Sequence, residues 1–178
     1  MIRRILSMFV LALFVSACGS SQNPAGITGS WVGRVDGTDA FIAIASNGSE
    51  VLAYICDGQT ITQWLHGDAG DKVDLDTGNI DISADGNSLL AALTVDSASG
   101  SITYNGQTYT FTAERAAGDA GLYRSEETIN GENWVGGWVV LNDGQLRGMS
   151  VNLNTNSLQP QTTISAVAKI IDASIPRY

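Results

Sequence analysis

The chain has 178 residues, which is enough for one domain with a sizeable core, and it carries 18 acidic against 9 basic residues, a formal net charge of −9. Beyond the first four residues it holds no cluster of Lys and Arg that could neutralise phosphates, so its charge excludes nucleic acid as a partner. With a single histidine, the chain also lacks the histidine pair of a catalytic zinc site.

Residues 1–17 have the layout of a secretory signal peptide. Arg3 and Arg4 precede the run from Ile5 to Val15, which is apolar apart from Ser7. This run is too short to cross a bilayer, because a membrane-spanning helix needs about twenty residues. The segment therefore predicts export from the cytoplasm.

The run "VSAC" that ends at Cys18 resembles the lipobox of bacterial lipoproteins, whose cysteine is acylated and becomes the mature N-terminus. The resemblance implies that Cys18 carries the lipid and that its acyl chains hold the protein on a membrane of the cell envelope. Gly19 stands where family members retained in the inner membrane usually have Asp, which implies the outer membrane if the source is Gram-negative. A signal cleaved without lipidation, or left as an uncleaved anchor, is the alternative.

Cleavage before Cys18 would leave seven basic and eighteen acidic residues, a net charge of −11. Such a surface favours a cationic partner, a metal ion or simply solubility. Lipidation would leave Cys56 without an intrachain partner, which excludes a disulfide scaffold. The place of Cys56 in the apolar run "VLAYIC" predicts a small buried side chain.

Residues 18–28 are expected to be the acylated cysteine and a flexible tether, since "SSQNPAG" is rich in Ser, Asn, Pro and Gly. A β-domain is expected over 29–151, where pairs such as Asp85-Gly86 and Asn105-Gly106 recur at intervals of about ten residues. These pairs favour the positive φ angles of two-residue hairpin turns. The spacing predicts an all-β fold, an antiparallel meander that forms a small barrel or sandwich.

The clearest hairpin covers residues 100–113, where Tyr109, Phe111 and Ala113 alternate with threonines. Similar patterns predict further strands at 30–35, 40–46, 50–56, 59–66, 72–76, 80–83, 88–95, 121–125, 134–141 and 145–151. These strands leave no room for the helices of parallel β-α-β units.

Two of the predicted strands, "FIAIA" and "VLAYIC", are apolar on both faces. Each therefore needs a second cover besides the core, which a barrel end, a second sheet, a ligand or a partner could supply. Residues 152–178 are expected to be a C-terminal strand, helix or tail. The run "AVAKIIDASI" fits one helical face, although its β-branched residues favour a strand, and we expect a short helix or a tail.

The triplet Gly29-Ser30-Trp31 opens the first predicted strand and resembles the Gly-x-Trp of lipocalins and other calycins. The resemblance implies an up-and-down barrel in which Trp31 closes one end. It also implies an Arg from a late strand lying across that ring, a role that Arg124 or Arg147 could fill. The alternative is a Trp that fills the interior of any small barrel or sandwich. The candidate strands also outnumber the eight strands of the up-and-down barrel that the resemblance implies.

In "NWVGGWVVLNDG", Trp134, Gly136 and Trp138 share one face of a strand. Glycines inside a strand permit close approach by another group, so two indoles beside a bare patch could stack on a sugar or another flat ligand. Buried indoles beside glycines that bend a barrel are the alternative. Together with Trp31 and Trp64, these tryptophans are the candidate ligand contacts.

An acidic segment, "GDAGDKVDLDTGNIDISADG", raises the possibility of calcium binding. Its six aspartates are Asp68, Asp71, Asp74, Asp76, Asp81 and Asp85. Their spacing does not match the calcium-binding loop of an EF-hand. A solvated edge that discourages pairing between sheets explains them without a metal, so we predict neither a metal site nor a cofactor.

Catalysis is not expected. If Asp57-Gly58 were a two-residue turn, Cys56 would pair beside Gln59 and His66 would lie seven residues along the return strand, about 24 Å away. No Gly-x-Ser-x-Gly sequence is present to supply a nucleophile. The sequence therefore predicts a non-enzymatic lipoprotein that binds a small apolar ligand or a glycan. The alternative is a protein-interaction or envelope-structural module, such as an inhibitor of a cationic enzyme like lysozyme.

Overall fold

A computed structural model describes residues 26–67 and 72–171. The predicted signal peptide, the lipidation of Cys18, residues 18–25 of the tether, and Asp68 and Asp71 lie outside the described residues. All the regular structure of the described residues is β, which confirms the predicted all-β fold. Its strands are β1 (Thr28–Val35), β2 (Phe41–Asn47), β3 (Val51–Cys56), β4 (Thr62–Gly67), β5 (Lys72–Asp74), β6 (Asn79–Ala84), β7 (Asn87–Leu93), β8 (Ser97–Tyr104), β9 (Gln107–Arg115), β10 (Gly121–Ile129), β11 (Glu132–Val140), β12 (Leu146–Asn152), β13 (Leu158–Gln161) and β14 (Lys169–Ile171).

Strands β1 to β9 form one antiparallel sheet in the order β4-β3-β2-β1-β9-β8-β7-β6-β5. The sheet curls until its two ends almost meet. Asn87 at the start of β7 donates a hydrogen bond of 3.0 Å to Gln63 of β4. A Cβ built on Gly67 of β4 would lie only 2.2 Å from the side chain of Ile82 of β6. The nine strands therefore make a nearly closed barrel.

Two hairpins show how local sequence sets the register of this barrel. Asp85 and Asn105 adopt φ angles of 52° and 49°, and Gly86 and Gly106 follow them at 78° and 77°. Positive φ at both central residues is the geometry of the type I′ turn, whose twist matches that of the paired strands. The predicted turns between β6 and β7 and between β8 and β9 are thereby confirmed.

The barrel interior is filled by its own side chains. The largest of the fully buried residues facing it are Trp31, Ile42, Ile44, Ile55, Leu65, Ile82, Leu89 and Phe111. Burial of this much apolar surface is the main source of stability for the barrel.

A second antiparallel sheet, in the order β13-β12-β11-β10-β14, packs on the outside of the barrel over β1 to β3. Leu122, Val139 and Met149 of this sheet form a second buried cluster with Phe41 and Leu52 of the barrel. The second cover that "FIAIA" and "VLAYIC" require is therefore a second sheet of the same chain. Both strands are buried on both faces because they lie between two apolar cores.

The C-terminal segment crosses the outer face of the second sheet. Strands β13 and β14 lie at opposite edges of that sheet, so residues 162–168, here called the strap, pass from one edge to the other. Of the strand, helix or tail expected for residues 152–178, the described part contains strands β13 and β14, so the short helix favoured for "AVAKIIDASI" was wrong there. The sheet thus continues well past the boundary predicted at residue 151.

Candidate functional site

Trp31 is fully buried in the barrel interior and pairs with Arg115 at the end of β9. The guanidinium carbon of Arg115, on the neighbouring strand β9, lies 5.8 Å from the centre of the Trp31 ring. Arg115 also donates hydrogen bonds to the carbonyls of Thr28, at 3.1 Å, and Val95, at 2.9 Å. These contacts tie three chain segments together at the barrel end, and they give the Trp31 indole a packing role.

Neither Arg124 nor Arg147, the two arginines suggested by the sequence, lies across the Trp31 ring. Arg147 stacks on the ring of Phe41 at 4.6 Å, on the outside of the barrel. Arg124 stacks on the ring of Trp64 at 5.0 Å. The expectation that Arg124 or Arg147 lies across Trp31 was therefore wrong. Arg115 takes the position because β9 is the direct neighbour of β1 in the sheet.

Trp138 lies on the outer face of the second sheet, beneath the strap, and is 1% exposed. Its indole N–H donates a hydrogen bond of 2.9 Å to the carbonyl of Thr163 in the strap. A Cβ at Gly136 or at Gly148 would lie within 2.3 Å of the indole. Glycine at these two positions lets the Trp138 ring lie flat on the sheet, where the strap covers it.

Trp134 is partly buried and lies on the same face of β11 as Trp138, by strand alternation. Gly137 lies on the opposite face, where a Cβ would be 2.6 Å from both Trp64 and Tyr54. The structure thus disperses the four candidate tryptophans. Trp31 is inside the barrel, Trp64 is between the sheets, and Trp134 and Trp138 are on the outer face.

Trp64 joins the barrel to the second sheet. Its ring lies 4.2 Å from that of Tyr54, centre to centre, and the two planes are 31° apart. The Tyr54 hydroxyl lies 3.0 Å from the hydroxyl of Thr62 and donates a bond of 3.3 Å to the carbonyl of Gly137. Burial raises the pKa of Tyr54 well above its usual value, so the phenol stays protonated and remains a donor.

Arg124 is the one charged side chain that is buried among the described residues, at 8% exposure. It lies on β10 opposite Gly137, whose missing side chain leaves room for the rings of Trp64 and Tyr54, and its guanidinium rests on the Trp64 ring. Its Nη2 donates a hydrogen bond of 2.9 Å to Oε1 of Glu126, whose side chain is 67% exposed. A buried charge without such a partner would be costly, so the ion pair is part of what permits this burial.

Two hollows meet at Arg124. One, of about 490 Å³, is lined by Arg124, Glu126, Glu127, Thr128, Asn133, Trp134, Val135 and Leu153. The other, of about 330 Å³, is lined by Arg124, Ser125, Glu126, Val167, Lys169, Ile170 and Ile171. We call the two together the Arg124 cleft. The two hollows share Arg124 and Glu126, and together their linings include a guanidinium, an ammonium, carboxylates, hydroxyls and an amide.

The exposed end of the β10–β11 hairpin forms one wall of the cleft. Glu126, Thr128 and Asn133 are exposed there, and the Thr128 hydroxyl donates a bond of 3.0 Å to the amide oxygen of Asn133. Strand pairing places Thr128 opposite Asn133 and Glu126 opposite Val135, so these four side chains share the face that carries Arg124.

This wall was not predicted from the sequence, because the predicted strands ended at residue 125 and began again at residue 134. The pair Asn130-Gly131 would have predicted a hairpin here, because it is a turn pair of the same kind as Asp85-Gly86 and Asn105-Gly106. Asn130 and Gly131 adopt φ angles of 55° and 82°, and they join one continuous hairpin from Gly121 to Val140.

Cys56 and His66 are kept apart, but by a different pairing from the one predicted. Cys56 pairs with Thr62 and His66 with Leu52, so the predicted pairing of Cys56 beside Gln59 was wrong. The four positions between Thr62 and His66 still correspond to about 14 Å along the strand. Burial raises the pKa of Cys56 from 9.0 to about 11, which keeps the thiol protonated at neutral pH.

The loop between β3 and β4 is longer than the predicted turn because the carboxylate of Asp57 organises it. That carboxylate accepts hydrogen bonds of 2.7 to 2.8 Å from the backbone N–H groups of Gln59, Thr60 and Ile61. Such a side-chain cap stabilises a loop with several otherwise unpaired donors.

The described part of the acidic segment contains a similar turn, in which Asp74 accepts a bond of 3.1 Å from the backbone N–H of Asp76. Within residues 26–67 and 72–171, no group of three or more His, Cys, Asp and Glu side chains is arranged to hold a metal ion. Those residues also include no helix of the length and hydropathy needed to span a membrane.

Comparison with protein-family models, curated proteins and solved structures finds no match for this chain.

Proposed function

We propose that this chain is a lipid-anchored protein of the cell envelope whose β-domain binds a glycan in the Arg124 cleft without catalysing a reaction. The observation that carries the proposal is the pair of hollows at Arg124, whose volumes of about 490 and 330 Å³ lie in the range of small-ligand sites. The lipid anchor rests on the sequence "VSAC" and its resemblance to a lipobox.

The composition of the cleft suits a sugar. Sugars present many hydroxyl groups, each of which can donate and accept a hydrogen bond. Glu126, Thr128 and Asn133 supply acceptors and donors at the exposed end of the hairpin, and Arg124 supplies donors deeper in the cleft. Leu153, which is 58% exposed, adds an apolar surface for the C–H face of a sugar ring.

The filled barrel interior supports a ligand on the surface over an apolar ligand carried inside. Trp31 and Phe111, at 0% and 1% exposure, occupy the space that such a ligand would need. The Trp31–Arg115 contact supports a calycin-like architecture, although the barrel has nine strands.

The proposal is tested by titrating the full chain, in detergent micelles, with a panel of neutral and acidic oligosaccharides. Asn133→Ala and Thr128→Val are expected to weaken binding of any sugar that the wild type binds. Gln159→Ala is the matched control, because it changes an exposed polar residue on β13, away from the cleft. Equal binding by all four proteins, or no binding by any, would contradict the proposal.

A protein-interaction role is the second candidate, and one observation favours it. Val167 and Ile170, which are 55% and 43% exposed, place two apolar side chains at the β14 edge of the second sheet, where both border the smaller hollow. Contiguous exposed apolar surface is typical of interaction sites, and the acidic net charge would favour a cationic partner such as lysozyme. Inhibition of lysozyme that is lost in Val167→Asp and retained in Asn133→Ala would favour this role.

A further inference from the structure

We propose that the ligand of the Arg124 cleft is an acidic sugar, whose carboxylate is held between Arg124 and Lys169. This inference rests on the glycan-binding function proposed above and names the class of sugar. It depends on three features of the cleft: a basic pair, a carboxylate already bound to Arg124 of that pair, and polar groups within reach for the rest of the sugar.

The basic pair is set by strand pairing. Lys169 of β14 is the direct cross-strand partner of Arg124 of β10, and both line the smaller hollow. Side chains at such positions have Cβ atoms about 5 Å apart, close enough to contact one carboxylate together. Two adjacent cations are unfavourable by themselves, and an anion between them removes the repulsion.

Glu126 shows that the position accepts a carboxylate. Its Oε1 lies 2.9 Å from Nη2 of Arg124, although Glu126 is 67% exposed and reaches the guanidinium from the rim. Because Glu126 reaches in from the rim, a ligand carboxylate can take its place and keep the buried guanidinium paired. Arginine binds carboxylates through a planar fork of donors, which gives the replacement a defined geometry.

The acidic net charge, −9 for the whole chain and −11 after cleavage before Cys18, does not prevent this binding. At physiological ionic strength the Debye length is about 8 Å, so acidic residues elsewhere on the surface are largely screened from the ligand. The short-range contacts with Arg124 and Lys169 are screened much less, because Arg124 is buried. The acidic group would therefore be recognised locally, with an affinity that falls as salt is added.

The polar residues of the larger hollow distinguish a sugar acid from a simple carboxylate. Thr128 and Asn133 line the hollow that adjoins Arg124 and can bond ring hydroxyls while the carboxylate lies at the basic pair. Acetate would occupy the basic pair alone, and a neutral sugar would occupy the polar wall alone. Only an acidic sugar would use both.

The test is a titration of the full chain in detergent micelles with glucuronate, glucose and acetate, followed by NMR of the Arg124 side chain and the backbone amides of Lys169 and Asn133. We expect glucuronate to bind at least about tenfold more tightly than glucose or acetate. Glucose lacks the charge-assisted contacts of the carboxylate, and acetate lacks the contacts of the hydroxyl groups. Lys169→Gln should reduce the affinity for glucuronate about tenfold, whereas Lys169→Arg, which keeps the positive charge, should bind glucuronate about as tightly as the wild type.

Glu126→Gln should strengthen glucuronate binding by up to about fivefold, because it removes the competing carboxylate. Arg34→Gln, which removes an exposed arginine paired with Asp143 outside the cleft, is the charge-matched control and should change nothing. Equal binding of glucose and glucuronate would overturn the acidic class and leave the glycan proposal standing. Equal binding of acetate and glucuronate would overturn the sugar contribution, and no response to any of the three would overturn both proposals.

Discussion

The guanidinium of Arg124 lies 5.0 Å from the centre of the Trp64 ring, so a charged side chain of the second sheet rests on an aromatic side chain of the barrel. Cation–π contacts of this kind gain strength when water is excluded, and Arg124 is only 8% exposed. The contact depends on Gly137, which lies opposite Arg124 and leaves space for the ring. The same contact therefore joins the two sheets and holds the cation of the proposed cleft.

Gly137→Ala is expected to destabilise the fold, because the new Cβ would lie 2.6 Å from both Trp64 and Tyr54. Overpacking of this kind costs about 1 to 3 kcal/mol of the free energy of unfolding. Urea unfolding measures the change. The matched control is Gly144→Ala, where a Cβ meets nothing within 4 Å and only the φ angle of 82° opposes it. A smaller loss for Gly137→Ala than for Gly144→Ala would show that the sheets can separate at little cost.

Trp138→Phe should cost about 1 kcal/mol beyond the loss of apolar area, because it removes the 2.9 Å bond to the Thr163 carbonyl. Trp138→Ala should cost about 3 to 5 kcal/mol, as expected for a large buried side chain. Trp134→Ala should cost less, since Trp134 is only partly buried. Thermal melts of the three variants test this order, and a larger loss for Trp134→Ala would contradict the placement of Trp138 beneath the strap.

The free energy of unfolding should decrease at alkaline pH because the buried Cys56 thiol ionises there. Burial raises the pKa of this thiol from 9.0 to about 11, so the folded state retains the proton that the unfolded chain releases. The stabilisation from the protonated thiol is fully present below pH 9 and is lost as the pH rises towards 11, by about 2 to 3 kcal/mol in all.

Urea unfolding of wild type and Cys56→Ala between pH 7.5 and about 10.5 measures the effect, because the variant lacks this titration. Tyr54, whose pKa burial also raises, interacts with Cys56, so the difference between the two proteins reports the titration of this coupled pair. Parallel pH profiles for the two proteins would contradict the alkaline shift of Cys56.

Cys18→Ser is expected to abolish lipid attachment, because the lipid in the resembled family is joined to the cysteine sulfur through a thioether. The protein should then remain unprocessed or leave the membrane. Membrane fractionation and sensitivity of processing to globomycin are the measurements. A correctly cleaved Cys18→Ser protein that stayed on the membrane would contradict the lipobox interpretation of "VSAC".

The local conformation of much of the barrel could be predicted from the sequence alone. Asp85-Gly86 and Asn105-Gly106 form their turns because positive φ is a preference of the residues themselves and needs no distant contact. The alternation of Tyr109, Phe111 and Ala113 likewise determines which face of β9 is buried, since side chains in a strand point to opposite sides in turn. These features are encoded within a few residues.

Only the tertiary structure decided what covers each face. The apolar run "VLAYIC" requires two covers, but nothing within it identifies the second sheet, which comes from residues 121–171. Arg124 is buried against Trp64 of another strand, and the Trp64 ring has its own space because Gly137 of a third strand carries no side chain. Ile171 forms a strand because β10 offers an unpaired edge, which overrides the helical periodicity of its own segment. Burial and pairing between distant segments depend on the whole packed chain, and that is why the cleft could not be read from any one stretch of sequence.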